Sequence, residues 1–595
     1  MKIAYLDSHR LYRVLYAGIQ NLLEEQEYLN KINVFPVPDG DTGTNMALTL
    51  MGIVEGVQPH HRKSLPVLGK AVADAALDNA RGNSGVILAQ FFQGLSEGIV
   101  DRVKLSTVQF ADAVDLAVKE AYTAMAEPRE GTILTVLRRW GEHLRERAHE
   151  THDFVSLLES SLKEAEAALA DTPNLLEVLK KAGVVDAAGR GFVSMLEGIS
   201  SFMHAGSLRD LPEQRMKPTA LPRDLPPQDL ANLNFPFCTE CIVVGEGLDR
   251  EAINQVLIQF GDSIIIAGTK QRAKIHIHTD RPQEMFDALA PFGEVTQQKA
   301  DDMRKQQETA AGEGGIALVV DSTCDLPPDL MDKYRIHMVP VRVNFGKDQY
   351  IDKVTISEEE FYQRLMTDEH HPQTSQPPPG DFNRLYKFLA SHHDSLISLH
   401  VPRASSGTIQ NAENALSKIE FKHKIILDAL SLSLGTGLIA LEMAEAIAAG
   451  NTYEEVLAIG ENAIPRTRIF VYVESLDAAI RGGRLSLNRK KIIDLLQLNP
   501  VLTVTQRGKV ELDGVTMGKR NVLPKFERYV LKKARGKTIK RMGVVHADHR
   551  EVASGILDRL RGHFPDAENY MAQVCPALGA HAGHHAIGIA LQFND

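Results

Sequence analysis

The sequence predicts a multidomain protein with a helical N-terminal domain, a small α+β middle domain and an α/β C-terminal domain. Three observations lead to this prediction. Apolar residues recur at spacings of three and four through the first third of the chain, which is typical of α-helices. Short β-branched runs then surround a single amphipathic helical stretch. Farther on, strand-like runs alternate with helical ones, which favours a parallel α/β sheet.

Composition excludes several classes of protein. Apolar residues make up 44% and charged residues 24% of the 595 positions, as in ordinary globular proteins. The net charge of −11 argues against a general nucleic-acid binder. Four cysteines are too few for a disulfide framework and suit a reducing cytosol. Because the chain shows neither a signal-peptide pattern nor the ~20 apolar residues of a membrane span, we expect a soluble, cytoplasmic protein.

Changes in composition divide the chain into three domains and two linkers. Helical patterns occupy residues 1–208, and a proline-rich linker at 209–234 cannot continue a helix or a sheet. Strand-like runs around one helix fill the middle domain at 235–300. A polar linker at 301–314 ends in glycines, and the α/β alternation extends over 315–595. Each domain is therefore expected to have its own core.

The string NVFPVPDGDTGTN at 33–45 is the densest group of polar and turn-forming residues. Asp39 and Asp41 stand two positions apart, so one turn can aim both carboxylates at a single point. Carboxylate oxygens, completed by water and substrate phosphates, are the usual ligands of Mg²⁺. Thr42, Thr44 and Asn45 add polar groups to the same turn. The alternative is a capped loop that binds nothing, because aspartate and glycine favour turns in any case.

Three further strings join small residues to helical stretches. They are ARGNSG at 80–85, EGTILTV at 130–136 and VDAAGRG at 185–191. Free N–H groups at a helix N-terminus bind anions such as phosphate, whereas ordinary helix capping is the alternative reading of each string. None of the strings is a Walker A loop, so a P-loop nucleotide site is not expected.

Together these strings resemble the nucleotide-binding domain of dihydroxyacetone kinases, in the version found in bacterial fatty acid kinases. The resemblance extends from about Leu11 to Met203. It implies an all-α antiparallel helical bundle that binds ATP at one end, with Mg²⁺ beneath the phosphates. By motif, it assigns Asp39 and Asp41 to magnesium, Thr42, Asn45, Asn83 and Ser84 to the phosphates, and Thr132, Asp186 and Gly189 to the neighbourhood of the nucleoside.

Two cysteines and two histidines in the middle domain have metal-ligand spacing. Cys238 and Cys241 are separated as in zinc knuckles, and His276 and His278 stand two apart, on one face of a strand. A Cys₂His₂ set would close a structural zinc site, whereas half-buried residues without metal and a redox CxxC are the alternatives. The strings FCTE and KIHIHT also resemble the middle domain of fatty acid kinases. That resemblance implies Zn²⁺ on Cys238, His276 and His278, with Cys241 as a candidate fourth ligand.

In the C-terminal domain, three strings place small hydroxyl residues just after strands. They are DSTCDLP at 321–327, QTSQP at 373–377 and ASSGT at 404–408. Ligands of open α/β sheets bind beyond the strand ends, although serine and threonine there also act as plain helix caps. No Gly-x-Ser-x-Gly elbow accompanies them, so a serine hydrolase is not expected.

With GGRLS at 482–486, these strings resemble the DegV-type fatty-acid-binding proteins from about Gly315 to the C-terminus. The resemblance implies two α/β lobes that clasp a fatty acid, with the acyl chain in an apolar tunnel. By motif, it places Thr374, Ser375, Ser406 and His581 at the carboxylate, and it places Arg520 near the face where a phosphoryl group is transferred.

The combined interpretation is a fused fatty acid kinase that converts ATP and a fatty acid to acyl phosphate and ADP, with Asp39, Asp41 and Arg520 as the catalytic residues. We expect a homodimer, an acyltransferase of phospholipid synthesis that takes the product, and transient membrane contact for lipid exchange, but no nucleic-acid partner. Two alternatives remain open. One is a kinase of a dihydroxyacetone-like small molecule, and the other is a lipid-binding or regulatory protein with an inactive nucleotide domain.

Overall fold

The structure is a computed structural model. It describes residues 2–36, 40–57, 63–205, 234–305, 315–390, 392–483, 498–518 and 520–594. The chain divides into two compact units, unit 1 at Met1–Ala311 and unit 2 at Gly312–Asp595. Unit 1 holds the helical region and the small middle sheet, and unit 2 holds the α/β region. The multidomain architecture that the sequence predicts is confirmed.

The N-terminal part of unit 1 is mainly helical in its described residues. Its helices are α1 Ser8–Glu24, α2 Gln26–Lys31, α3 Thr42–Val57, α4 Leu65–Asn79, α5 Gly82–Gly98, α6 Thr107–Thr123, α7 Ile133–Arg147, α8 Phe154–Leu175, α9 Glu177–Ala182 and α10 Ala187–His204. Their apolar faces share one buried core. Trp140, the only tryptophan in the chain, belongs to this core. Its ring packs edge-on against that of Phe192, with 5.3 Å between the ring centroids.

A four-stranded antiparallel sheet forms the middle of the chain. Its elements are β1 Phe237–Val244, α11 Arg250–Leu257, β2 Gly261–Gly268, β3 Arg272–Thr279, α12 Pro282–Leu289, a 3₁₀ turn at Ala290–Phe292, and β4 Glu294–Asp302. The strand order is β2-β3-β1-β4. Across β1 and β3, Cys238 pairs with His278 and Glu240 pairs with His276. Side chains alternate between the two faces of a strand, so all four of these side chains share one face.

The middle sheet packs directly on the helices. Ile265 and Ala267 on β2 are fully buried within the core of the helical bundle. The backbone continues the contact, because the N–H of Ile266 donates to the carbonyl oxygen of Ala124 at 2.8 Å. At the end of β2, the N–H of Gly268 donates to the side-chain oxygen of Gln90 on α5 at 2.8 Å. These contacts fix the position of the sheet against α5.

Unit 2 is built on two larger sheets and one small one. Its strands are β5 Ile316–Asp321, β6 His337–Val339, β7 Arg342–Phe345, β8 Asp348–Ile351, β9 Gln373–Ser375, β10 Ser395–His400, β11 His423–Asp428, β12 Thr467–Tyr472, β13 Leu498–Val504, β14 Val510–Met517, β15 Ile539–His546, β16 Glu568–Gln573 and β17 Ile587–Phe593. The sheet orders are β11-β10-β5-β6, β14-β13-β12-β17-β15-β16 and β8-β7-β9.

Helices connect and cover these sheets. They are α13 Pro328–Lys333, α14 Glu358–Thr367, α15 Pro379–Ala390, α16 Thr408–Leu416, α17 Leu434–Ala448, α18 Tyr453–Arg466, α19 Asp477–Arg481, α20 Val522–Ala534, α21 Arg550–His563 and α22 Pro576–Ala582. Nowhere in the described ranges is a helix both long and apolar enough to cross a membrane.

The expected parallel sheet is correct for only part of unit 2. The sheet that contains β5 and β10 is parallel, as strand–helix alternation predicts. In the six-stranded sheet, β15 and β16 are parallel, but β12 is antiparallel to both of its neighbours. A short turn that includes a hydrogen bond from Gly508 N–H to Thr505 joins β13 to β14, and so short a connection permits only antiparallel pairing.

A buried network in the parallel sheet has the residue types of a hydrolase triad. Nε2 of His400 is 2.7 Å from Oγ of Ser398, and its Nδ1 is 3.1 Å from Asp321. All three residues are at most 1% exposed. Ser398 also bonds to the hydroxyl of Tyr386, which is likewise buried. A network closed to solvent in this way crosslinks β5, β10 and α15 and does not reach a substrate.

Asp186 is a buried cap at the start of α10. Its carboxylate accepts the N–H of Gly189 at 2.7 Å and a second backbone hydrogen bond from Ile133. Burial raises the pKa of Asp186 from 3.8 to about 7, although both hydrogen bonds favour the charged form. Above neutral pH, folding therefore has to remove an already ionised carboxylate from water.

This cap predicts a pH-dependent stability of unit 1. Because the pKa of Asp186 is higher in the folded than in the unfolded chain, the native state binds the extra proton between about pH 4 and pH 7, and its stability falls as the pH rises through that window. Asp186→Asn removes the dependence. When the pH is raised from 5 to 8, the wild type should lose on the order of 3 kcal/mol more of its free energy of unfolding than the variant does. Urea unfolding followed by Trp140 fluorescence measures it.

Asp153, the partly exposed cap of α8, offers a matched control. Asp153→Asn exchanges the same atoms at another helix N-terminus that accepts a backbone N–H. The difference in free energy of unfolding between Asp153→Asn and the wild type should be nearly the same at pH 5 and at pH 8. Equal pH dependence of the two variants would contradict the assignment to Asp186.

Candidate functional sites

The first turn of α3 holds residues predicted to bind phosphate, and Asp41 directly precedes it. Thr42 is the first residue of α3, and the backbone N–H of Asn45 donates to the carbonyl oxygen of Asp41 at 2.8 Å. Gly43 lies directly against α2, where a Cβ would collide with the carbonyl oxygen of Gln26. This close approach is why the turn requires glycine at that position. Asp39, the second predicted magnesium ligand, lies outside the described residues.

The first turn of α5 lies next to this segment. We call residues 81–84 the α5 turn. Gly82 has a φ of +54°, and a side chain there would collide with the amide of Asn45. Asn83 and Ser84 follow at the start of the helix, where backbone N–H groups have no intrahelical acceptor. Residues from two separate strings of the sequence therefore lie together, as an anion site at a helix N-terminus requires.

A second pair of helix N-termini brings together the residues predicted near the nucleoside. Thr132 caps α7 and accepts the N–H of Leu134 at 3.3 Å. Asp186 caps α10 and accepts hydrogen bonds from Gly189 and from Ile133, the residue that follows Thr132. Thr132, Asp186 and Gly189 are therefore neighbours.

Cys238, His276 and His278 form the group of candidate metal ligands in the described ranges. One ligand atom from each residue lies within 4.8 Å of the others, and all three residues are buried. Within those ranges, the buried Nε2 of His276 has no hydrogen-bond partner. Thiolate and imidazole are typical zinc donors, and an imidazole nitrogen without a hydrogen bond is available to an ion. The residues present therefore fit zinc, with a fourth coordination position left for another donor.

Cys241 does not join this group. It pairs with Ile275 across the sheet and is fully buried in the apolar core of the middle domain. Residues three positions apart on a strand face opposite sides of the sheet, so Cys241 points away from Cys238. The structure therefore contradicts the Cys₂His₂ set that the sequence left open.

Three charged residues on the metal-bearing face were not predicted. Glu240 is fully buried, and Lys274 and Lys299 are 2% and 7% exposed. The ammonium nitrogen of Lys274 is 3.2 Å from Glu240, and that of Lys299 is 3.6 Å away. The sequence did carry a signal, because Glu240 alternates with Cys238 on β1 and Lys274 alternates with His276 on β3.

The metal group and the predicted magnesium turn lie within electrostatic range of each other. Burial raises the pKa of the Cys238 thiol, and Lys299, Glu240 and Asp41 are among the charges that act on it. Since Asp41 precedes α3, the face of the middle sheet that carries Cys238 is turned toward the same end of the helical bundle. Asp41 and the candidate metal ligands are therefore parts of one region of unit 1.

A cavity in unit 2 is lined by the hydroxyl-rich strings. Its volume is about 1150 Å³ with the open mouth included. Thr374 and Ser375 on β9, Ser406 before α16 and His581 on α22 all line it. Oγ1 of Thr374 is 2.8 Å from Nε2 of His581. Hydroxyl groups and an imidazole in the lining of a cavity can donate hydrogen bonds to a carboxylate.

The remaining wall of the cavity is largely apolar. It includes Val473, Leu502, Val504, Val510, Val545 and Val574. Further polar groups line the cavity at Thr323, Gln376 and Ser405, which belong to the three hydroxyl-rich strings but were not predicted individually. An apolar wall with a few convergent polar groups suits a ligand that has a polar head and a hydrocarbon chain.

Two of the predicted features lie away from this lining or cannot be placed. Arg520 is exposed in the turn before α20 and is not among the residues that line the cavity. In the string GGRLS, Gly482 lies so close to His581 that a side chain would collide with the imidazole. The rest of that string, residues 484–486, lies outside the described residues.

Three family models match successive parts of the chain. The DAK2 domain matches residues 36–201, the middle domain of FakA-like fatty acid kinases matches 234–310, and the DegV family of uncharacterised proteins matches 315–594. An uncharacterized protein of Staphylococcus saprophyticus is 33% identical over 331 residues, 54% of this chain and 60% of that relative. Protein YloV of Bacillus subtilis is 35% identical over 318 residues, 51% of this chain and 57% of that relative. The chain thus spans little more than half the length of these relatives.

Solved structures match the C-terminal half. DegV, a fatty acid binding protein from Bacillus subtilis, is 28% identical with a TM-score of 0.44, over 47% of this chain and 99% of that chain. A fatty-acid-binding DegV family protein from Thermus thermophilus is 29% identical with the same TM-score and coverage. By the three family models, the chain carries, in order, a DAK2 domain, a middle domain of the FakA-like fatty acid kinase type and a DegV-family domain.

Proposed function

We propose that this protein is a fatty acid kinase that transfers the γ-phosphoryl group of ATP to the carboxylate of a fatty acid held in unit 2. The cavity of unit 2 carries the proposal, because the Thr374–His581 pair lies in its largely apolar lining and the same chain contains a DAK2 domain. The DegV proteins of Bacillus subtilis and Thermus thermophilus, which are described as fatty acid binding, support the choice of substrate.

The fatty acid would lie with its hydrocarbon chain along the apolar wall. Removing that chain from water contributes about 0.8 kcal/mol per methylene group. Thr374, Ser406 and His581 would donate hydrogen bonds to the carboxylate, with Ser375 beside them. Held in this way, one carboxylate oxygen is kept in place as the nucleophile. This positioning accounts for much of the catalysis in a reaction that needs little covalent help from the protein.

ATP would bind to the helical part of unit 1. Thr42, Asn45, Asn83 and Ser84 would contact the phosphates, and Thr132, Asp186 and Gly189 would lie near the nucleoside. Asp39 and Asp41 would hold Mg²⁺, which supplies neutralisation of charge on the phosphates. The acidic side chains would thus bind the cation, and the N–H groups at the helix N-termini would bind the phosphates.

In the reaction, a carboxylate oxygen of the fatty acid attacks the γ-phosphorus of ATP. The bond from that phosphorus to the bridging oxygen of the β-phosphate breaks, and ADP leaves with the electron pair. No general base is required, because a carboxylate is already ionised near pH 7. Arg520 would stabilise the negative charge on the transferred group. The acyl phosphate is an activated acyl donor, suited to an acyltransferase of phospholipid synthesis. Tethering both binding domains in one chain raises their effective concentration to about the millimolar range.

We also propose that Cys238, His276 and His278 hold a structural Zn²⁺. Cys238→Ala removes the thiolate ligand and should reduce bound zinc from about one equivalent to near none, because structural sites bind through all of their ligands together. Elemental analysis of the purified protein measures the loss.

Cys241→Ala is the matched control for zinc binding. It removes another buried thiol, from the opposite face of the same strand, and should leave the zinc content unchanged. Equal zinc in both variants, or equal loss from both, would refute the ligand assignment.

Asp41→Asn tests the kinase proposal. It preserves the shape of the turn but removes one negative charge from the predicted magnesium site, so acyl phosphate formation should fall by about 100-fold or more. The amount of fatty acid that purifies with the protein should stay the same. Trapping the product with hydroxylamine measures the turnover.

Asp74→Asn, which changes an exposed aspartate on α4, is the control and should retain full turnover. Undiminished turnover of Asp41→Asn would refute the magnesium assignment. Wild-type turnover of a triose with no turnover of fatty acid would replace the proposal by a small-molecule kinase. Bound fatty acid without any turnover would favour a lipid-binding protein whose nucleotide domain is inactive.

A further inference from the structure

Glu240 on β1 contacts both the α5 turn and the metal group. Its Oε1 accepts the backbone N–H of Gly82 at 3.0 Å, and its Oε2 lies 3.9 Å from the guanidinium group of Arg81. The same Oε1 is 3.4 Å from Nδ1 of His276. Gly82 and Glu240 are 158 residues apart in the chain. One carboxylate therefore links two sites that come from different domains.

This carboxylate is fully buried between two ammonium groups. The Nζ atoms of Lys274 and Lys299 lie 3.2 Å and 3.6 Å from its oxygen atoms. A buried ionic cluster of this kind seldom stabilises a protein more than apolar side chains of equal volume would. Stability is therefore a weak reason for its presence, and the specific contact with Gly82 is a stronger one.

We propose that Glu240 is a positioning residue that holds the α5 turn and the metal group in a fixed relation, so that the N–H groups of Asn83 and Ser84 face the phosphates of ATP. The inference rests on the proposed function for the identity of that ligand. It assigns to the middle domain a part in phosphate binding that acts through the α5 turn.

Two features of the geometry explain how Glu240 would act. By accepting the N–H of Gly82, it fixes a residue whose positive φ sets the path of the chain into α5. By accepting from Nδ1 of His276, it leaves Nε2, which has no hydrogen-bond partner among the described residues, available to a metal ion, as carboxylates beside metal-bound histidines commonly do. A shift in either contact would displace the other, because both use the same oxygen atom.

Two variants test separately the charge of Glu240 and the length of its side chain. Glu240→Gln keeps the length of the side chain but loses the charge that balances Lys274 and Lys299. Glu240→Asp keeps the charge but is one methylene group shorter, so it cannot maintain the contacts with both Gly82 and His276. Glu246→Gln alters an exposed glutamate that follows β1 and is the matched control.

The measurement compares the affinities of magnesium-bound ATP and of adenosine by calorimetry. Both Glu240 variants should weaken ATP binding by about tenfold and change adenosine binding by less than about twofold, because only the phosphates meet the α5 turn. Glu246→Gln should change neither affinity. Trp140 fluorescence checks that the bundle remains folded. A purely structural role would alter both affinities together.

Four outcomes would overturn the inference. They are equal weakening of ATP and adenosine, unchanged ATP binding, tighter ATP binding because Glu240 competes with phosphate for the N–H of Gly82, and a wild-type protein that does not bind ATP at all. The last outcome also refutes the proposed kinase, whereas the first three concern Glu240 alone.

The wild-type protein provides a second test if neither variant folds. A zinc-selective chelator would remove the ion that orients His276, and with it one of the two groups that hold Glu240 in place. Binding of ATP should then weaken relative to adenosine, and restored zinc should recover it. An unchanged ratio of the two affinities would overturn the inference.

Discussion

The packing of the middle sheet against α5 is the contact on which the candidate nucleotide site depends. Ile265 and Ala267 on β2 are buried in the core of the helical bundle, so the sheet cannot shift without exposing apolar surface. The strands β3 and β1 are held to β2 by backbone hydrogen bonds, and β1 carries Glu240 to the α5 turn. The burial of apolar side chains on β2, at one edge of the sheet, thus fixes the position of Glu240 on β1, two strands away.

Sequence patterns predicted those parts of the site that depend on local periodicity. His276 and His278 share a face because they are two residues apart on a strand, and the same rule, applied to Cys238 and Cys241, would have excluded the latter. Glu240 was missed for a different reason. Alternation with Cys238 places it on the metal-bearing face, but its partners Gly82 and Lys299 are distant in the chain, so the spacing of the sequence does not connect them with it. The parallel sheet was predicted from alternation alone, which does not report the antiparallel neighbours of β12.

In unit 2, the polar residues of the cavity are also brought together by contacts between distant parts of the chain. Thr374 and His581 are 207 residues apart but meet at 2.8 Å, and Ser406 lines the same cavity from a third element. Helix capping explains each hydroxyl-rich string locally, so spacing alone could not distinguish a cap from a binding group. The resemblance to DegV proteins singled out these residues, and the cavity then supplies a physical reason for them, since apolar walls exclude water from around a polar end.

Native mass spectrometry of the protein as purified, before and after addition of magnesium and ATP, tests the central claim most directly. The account predicts a bound molecule with the mass of a fatty acid, which gains the mass of one phosphoryl group when ATP is added. A bound fatty acid that gains nothing, or a protein that carries no lipid and turns over ATP only with a polar alcohol or ketone, would contradict it.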